Sequence, residues 1–164
     1  MRLSHVLALM LLTPGGVIAA QSRDLTGTWV LNLSKSAFGN YPAPTMDSMV
    51  VTRSGATYHI DEYTNSVEGP VHMTSEWPVS DGEVTNNVPA QNGQPASAIH
   101  LIVKMRGDTA TSVGEITVAG QKVATQSSRE YLAPDKKTYI RDVDLRLAIP
   151  GGAPAHFIAV YDRK

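Results

Sequence analysis

The sequence predicts an all-β domain, an antiparallel up-and-down barrel of about eight to ten strands. Short runs of β-branched and aromatic residues alternate in polarity with a period of two, which is typical of strands. Turn residues separate these runs at roughly the 8–12-residue spacing of a barrel or sandwich. No segment after residue 20 has helical periodicity, so crossover helices and a parallel sheet are disfavoured. Closing the sheet also removes exposed strand edges.

Residues 1–20 have the pattern of a secretory signal peptide. Arg2 provides a positive charge, residues 6–12 form an apolar run, and small residues precede a cleavage site at Ala20. The apolar run is shorter than the roughly 20 residues that a membrane-spanning helix needs. We expect cleavage near Ala20 and a secreted or periplasmic mature protein, residues 21–164, that forms a single domain. An uncleaved membrane anchor and a buried helix are the alternatives.

The composition excludes several classes of function. The 164 residues include no Cys, so neither a disulfide nor a lipoprotein-type anchor can form. The formal net charge is −1 and basic residues are not clustered, which argues against nucleic acid as a partner. No nucleophile elbow, phosphate-binding loop or metal-ligand motif occurs. We therefore predict no cofactor and no metal site.

Nine strands are predicted after the signal peptide. Ser54-Gly55 separates two of them at hairpin spacing. In the eighth, Val143, Leu145 and Leu147 alternate with charged residues, which predicts one buried and one wet face. The predicted strands are 26–33, 46–53, 57–64, 71–79, 99–106, 110–118, 122–132, 139–149 and 155–162.

Two segments between strands are predicted to be irregular. Residues 83–97 are polar and contain several Asn, Pro and Gly residues, so we predict a long loop with room for one short strand. Residues 41–44, Tyr-Pro-Ala-Pro, form a proline-rich connection. Long loops in compact domains are often functional or mobile. If the barrel core is fully packed, these segments are the expected contacts of a protein-interaction or envelope-structural module.

The first predicted strand carries a family resemblance. The segment 24–29, Asp-Leu-Thr-Gly-Thr-Trp, resembles the opening of lipocalin-type barrels, which have Gly-x-Trp on their first strand. Together with Lys-Ser-Ala-Phe-Gly at 35–39, it is similar to the start of small exported bacterial proteins with a lipocalin-like sheet. The resemblance implies that Trp29 plugs the closed end of the barrel beneath a ligand cavity. A barrel of about eight strands can hold one small ligand, so we expect an apolar or amphipathic molecule inside.

Elementary chemistry assigns structural roles to three residues of this region. Gly27 permits a bend or a close approach of another group. Trp29 can be buried if its indole N–H finds an acceptor. Lys35 could stack its stem on that ring and cap the end of the barrel.

The hairpin formed by the third and fourth predicted strands supplies the candidate ligand site. Its apolar face contains one carboxylate, Glu62, which is costly to bury without a partner. Arg141 similarly interrupts an apolar face, so the two residues are a candidate pocket pair; the alternative is that they lie in water at the barrel mouth. The predicted ligand-binding residues are Tyr58, Ile60, Glu62, Met73, Trp77 and Arg141.

The opposite face of the same hairpin carries a polar group, which we call the outer patch. A histidine beside a carboxylate can act as a general base or bind a metal, which would suit a hydrolase or isomerase. Such an enzyme requires the patch to face a cleft. A solvated outer sheet face explains the same residues and is favoured. The outer patch consists of His59, Asp61, Tyr63, His72 and Glu76.

Overall fold

A computed structural model describes residues 23–67, 69–91, 93–149 and 151–164. The predicted signal peptide and its cleavage site lie outside these residues. A short 3-10 helix, Leu33–Lys35, follows the first strand. The strands are β1 (Gly27–Leu31), β2 (Met46–Ser54), β3 (Thr57–Ser66), β4 (Gly69–Pro78), β5 (Gly82–Val88), β6 (Ser97–Arg106), β7 (Thr109–Val118), β8 (Gln121–Leu132), β9 (Thr138–Leu147) and β10 (Ala155–Arg163).

The ten strands form one antiparallel sheet in the order β4-β3-β2-β1-β10-β9-β8-β7-β6-β5. Each strand pairs with its neighbour in the chain except β4 and β5, and β1 also pairs with β10. The sheet therefore curls into a nearly closed barrel with a gap between β4 and β5. This confirms the predicted all-β up-and-down architecture. In the described part of the chain, no helix is long and apolar enough to cross a bilayer.

The strand that the sequence does not predict is β5, which lies in a segment predicted to be mostly loop. Residues 83–88 belong to β5, so the predicted loop 83–97 shortens to 89–96. The strand pairs with β6 from Gly82 opposite Val103 to Val88 opposite Ser97. The sequence signal for β5 is weak because Asn86 and Asn87, a residue type that usually favours turns, lie within the strand. More buried and more exposed residues nevertheless alternate along β5, and Asn86 on the inward side is buried.

Side-chain amides bridge the gap between β4 and β5. Asn86 accepts from the backbone N–H of Glu76 at 2.7 Å and donates to its carbonyl at 3.1 Å. Gln91 makes the same reciprocal pair with the backbone of His72, both at 3.3 Å. These bonds take the place of backbone ladder bonds at two positions, so the N–H and C=O groups of Glu76 and His72 keep hydrogen-bond partners across the gap.

Aromatic and charged residues close one end of the barrel. Trp29 is fully buried, and its indole N–H donates to the Leu25 carbonyl at 2.8 Å. Gly27 has a φ of +125°, a backbone conformation that residues with a side chain rarely adopt, so glycine is required here for its conformational freedom. Lys35 does not stack on the tryptophan as predicted. It pairs with Asp162 at 2.9 Å, while the Arg163 guanidinium lies 4.6 Å from the Trp29 ring.

Candidate functional site

The end of the barrel opposite Trp29 opens into a cavity of about 450 Å³, which we call the mouth pocket. The strand ends β2, β3, β4 and β10 surround it, together with the connection after the 3-10 helix. Its lining combines apolar and aromatic side chains with a small set of charged ones. The residues that define it are Phe38, Tyr41, Pro42, Pro44, Asp47, Glu62, Thr64, Ser66, Val67, Val71, Arg141, Phe157, Ala159 and Tyr161.

Three stacked aromatic rings form one side of the rim. The ring centroids of Phe38 and Phe157 are 6.0 Å apart, and those of Tyr41 and Phe157 are 4.7 Å apart. The backbone of Ala37 exchanges two hydrogen bonds with Ile158 of β10, at 2.7 and 2.8 Å. This bridge fixes the proline-rich connection against the barrel, so the rim is a preformed apolar surface.

Buried charged groups form the floor. Arg141 Nη1 lies 3.2 Å from Glu62 Oε1, and Arg141 Nε lies 4.0 Å from Glu130 Oε1. The Tyr161 hydroxyl donates to Asp47 Oδ2 at 2.8 Å. Burying three carboxyl groups in a barrel requires such partners, since a buried unpaired charge is strongly unfavourable. Glu130 satisfies its oxygens deeper inside, where the Tyr139 and Ser128 hydroxyls donate to it.

The pKa values of the floor residues are shifted by burial and by their charged neighbours. Burial and the neighbouring Glu62 carboxylate raise the pKa of Asp47 to about 7. Burial is also the main cause that raises the pKa of Tyr161, while the neighbouring carboxylates add to the effect. Burial opposes the charge of Arg141, but the surrounding acidic groups, led by Glu62, together outweigh burial and raise the pKa of the guanidinium. At neutral pH the floor therefore has a charged arginine, a tyrosine donor and a half-ionised aspartate.

A second, smaller cavity lies deeper in the barrel. It measures about 80 Å³, enough for a few water molecules but far below the roughly 300 Å³ of small-molecule sites. Glu62 and Arg141 line both this inner cavity and the mouth pocket, so their ion pair separates the two. Most of the barrel interior is consequently filled with side chains.

The predicted ligand-binding residues divide between these regions. Ile60, Met73 and Trp77 line the inner cavity and not the mouth pocket, while Glu62 and Arg141 line both. Tyr58 lies in the closed end, where its hydroxyl donates to the Arg23 carbonyl. Glu62 and Arg141 form the ion pair considered from the sequence, and their role in ligand binding stays a prediction.

The sequence reasoning missed the residues that shape the mouth pocket, in particular Asp47, Phe157 and Tyr161. Asp47 carried a usable signal. It lies in one inward row with Met49 and Val51, and a carboxylate in an apolar row is the same anomaly that identified Glu62. The aromatic rim had no such signal, because Phe157 lies more than a hundred residues from Phe38 and Tyr41 in the chain.

The outer patch assembles as the hairpin register requires. His59 pairs with Glu76 across the strands, and Tyr63 with His72. His72 Nε2 lies 2.5 Å from Asp61 Oδ1, and its ring stacks on Tyr63 at 4.1 Å. These charged side chains are about half exposed on the outer surface. Within the described ranges, no group of three potential metal ligands occurs. A surface pocket of about 570 Å³ adjoins the patch and is lined by His59, Asp61 and Glu76, so an enzymatic role of the patch stays a prediction.

Comparison with known proteins supports the fold. No protein-family model matches the sequence, and no curated protein matches it either. Rv2717c from M. tuberculosis is similar in structure, with a TM-score of 0.52 and 18% identity over 85% of this chain and 92% of that one. Lipid binding protein 8 from Caenorhabditis elegans, in its apo form, has a TM-score of 0.54 and 8% identity over 85% and 94% of the two chains. At these identities the similarity shows a shared barrel fold.

Proposed function

We propose that the protein binds one small apolar or amphipathic molecule in the mouth pocket. The observation that carries this proposal is a cavity of about 450 Å³ with an aromatic rim above a buried polar floor. Ligand sites typically occupy about 300–1,000 Å³ and combine apolar walls with a few polar groups. The shared fold with lipid binding protein 8 supports the proposal by analogy.

The position of the ligand follows from the two volumes. The inner cavity of about 80 Å³ cannot hold a lipid-sized molecule, so the ligand binds near the barrel opening. Its apolar part would pack on Phe157, Tyr41 and Val71, and its polar end would face Asp47 and Arg141. This site shares Glu62 and Arg141 with the ligand-binding residues predicted from the sequence, whereas Met73 and Trp77 line the inner cavity.

The protein-interaction alternative involves segments that lie partly at the surface. Residues 83–88 belong to β5, where residues 83, 85 and 87 are exposed, and Tyr41, Pro42 and Pro44 line the mouth pocket. The role of these segments in binding a protein stays a prediction.

A neutral fluorescent probe, N-phenyl-1-naphthylamine, tests ligand binding directly. We expect saturable fluorescence enhancement with one probe per protein after removal of co-purified lipid. Thr64→Trp places a large ring in the mouth pocket and should abolish the enhancement. Tyr63→Trp puts the same ring on the outer face of the same strand and should leave it intact. Equal binding by the two variants, or no enhancement with the native protein, contradicts the proposal.

We also propose that the protein acts outside the cytoplasm, on the pattern of residues 1–20. The intact mass of the protein recovered from a bacterial periplasm should correspond to residues 21–164. Retention of the full-length chain in the cytoplasm would contradict export.

A further inference from the structure

The two ends of the barrel differ in charge. Successive connections lie at alternate ends, because consecutive strands run in opposite directions. At the closed end, each of the segments 53–57, 79–82, 106–109 and 132–138 contains at least one charged residue. At the mouth end, five segments together contain a single one, Glu68, which lies outside the described residues, although 18% of the whole sequence is charged. These five segments, which we call the mouth face, are 38–46, 66–70, 88–98, 118–121 and 147–155.

Several apolar side chains of the mouth face are exposed. Val67 is 82% exposed and Ile149 is 59% exposed, and Tyr41, Met46 and Leu147 are exposed as well. In the closed-end segments, all of which the structure describes, no large hydrophobic side chain is exposed. Soluble proteins seldom gather exposed apolar groups in one region unless these contact a partner or a membrane.

Contacts between loops hold part of the mouth face together. The Asn40 side-chain amide donates to the Pro154 carbonyl at 3.0 Å, which ties the connection after the 3-10 helix to the turn between β9 and β10. In that turn, Leu147 and Ile149 lie close to Gly152, where an added Cβ would be 2.9 and 3.0 Å from their side chains. The two segments therefore form a continuous surface.

The mouth face surrounds the opening of the mouth pocket. Tyr41, Pro42, Pro44 and Val67 belong both to the mouth face and to the lining of the pocket. The exposed apolar groups therefore lie around an opening instead of forming one closed patch. A protein partner packs against a contiguous core of buried side chains, whereas a fluid lipid surface adapts to separate loop tips.

We propose that the mouth face docks on the surface of a phospholipid bilayer, with Val67 and Ile149 inserted below the headgroups and the mouth pocket opening toward the lipid. An end that is almost free of charge enters this region without the cost of transferring charged groups from water. Tyrosine is enriched at that depth, which suits Tyr41. Arg146, exposed immediately before Leu147, lies where a guanidinium can meet lipid phosphates. Docking goes beyond the proposed function, since it requires no ligand in the pocket.

Flotation with phosphatidylcholine vesicles measures docking. We expect the native protein to float with the vesicles, also at about 0.5 M NaCl, because salt screens charges and not apolar insertion. Val67→Asp and Ile149→Asp should each lower the partition coefficient about tenfold, since a charge replaces an inserted apolar side chain. Val113→Asp and Ile102→Asp, the same changes at exposed positions of β7 and β6, should leave it unchanged.

A labelled cysteine reports insertion if an acidic variant does not fold. The chain has no native Cys, so the environment-sensitive dye NBD attaches at one position only. At Val67→Cys, its emission should shift to shorter wavelengths when phosphatidylcholine vesicles are added. At Ser54→Cys, an exposed position in the closed end, the emission should not change. Equal shifts at the two positions overturn the proposal.

Further outcomes separate docking from ligand binding. Ile149 does not line the mouth pocket, so Ile149→Asp should lose the vesicles and still bind N-phenyl-1-naphthylamine in their absence. A native protein that binds this probe but does not float overturns docking and leaves the proposed function intact. Flotation without probe binding supports docking and overturns the proposed function.

Two results would assign the mouth face differently. A dimer that Ile149→Asp dissociates in sedimentation velocity, with no flotation of the native protein, would mean that a second copy of the chain covers this face. Flotation that requires phosphatidylglycerol, disappears at about 0.5 M NaCl and is insensitive to Ile149→Asp would mean that a charged surface binds the vesicles instead. Either result overturns docking through the mouth face.

Discussion

Asp47 shows how one buried carboxyl group makes the stability of the fold depend on pH. Burial and Glu62 raise its pKa from 3.8 to about 7. The folded protein therefore keeps a proton that the unfolded chain releases above pH 4. Because the unfolded state binds fewer protons between about pH 4 and pH 7, the contribution of Asp47 to stability falls as the pH rises through that interval.

Asp47→Asn should therefore stabilise the protein in a pH-dependent manner. The asparagine can still accept from Tyr161 but carries no charge. We expect the variant to match the native free energy of unfolding near pH 4 and exceed it at pH 8 by on the order of 3–4 kcal/mol. Urea unfolding at the two pH values measures this difference. A stability difference that is the same at both pH values would contradict the assignment.

Residue-level prediction succeeded where a charge interrupted an apolar row. That anomaly identified Glu62 and Arg141, which lie 3.2 Å apart although 79 positions separate them in the chain. The sequence did not predict which cation stacks on Trp29, because that contact depends on the path of the chain after β1. The turn at Leu33–Lys35 directs Lys35 to Asp162, and Arg163 at the end of β10 covers the ring instead.

At the level of elements, the gap between β4 and β5 distinguishes this barrel from a closed one. Backbone ladders connect the other neighbouring strands, whereas Asn86 and Gln91 cross the gap through their side chains. The sequence predicted nine strands from alternation and turn residues. It underestimated β5 because the asparagine that bridges the gap resembles a turn residue when read alone.

The bridging role of Asn86 can be tested by truncation. Asn86→Ala leaves the N–H and C=O of Glu76 without their partner, so we expect a loss of about 1–3 kcal/mol in the free energy of unfolding. Amide exchange at Glu76 should also accelerate. Asn87→Ala changes the outward residue of the same strand and should cost under about 0.5 kcal/mol. Equal effects from the two variants would show that the bridge contributes little.

For the whole molecule, the architecture was predictable because periodicity and turn spacing are local properties of the sequence. The closed end of the barrel was also predictable from the sequence, because the Gly27-Thr28-Trp29 segment resembles lipocalin-type barrels. Trp29 is fully buried there. The mouth pocket was not. It joins the connection at 38–44, the first residues of β2 and the first half of β10, and only the register of the curled sheet brings these together.

The most direct test of ligand binding at the barrel mouth is an amide chemical-shift map with N-phenyl-1-naphthylamine. We predict that saturable shifts concentrate around Asp47, Thr64, Phe157 and Tyr161, with little change at the outer patch or around Trp29. Shifts confined to the outer face, or spread evenly over the barrel without saturation, would contradict a binding site in the mouth pocket.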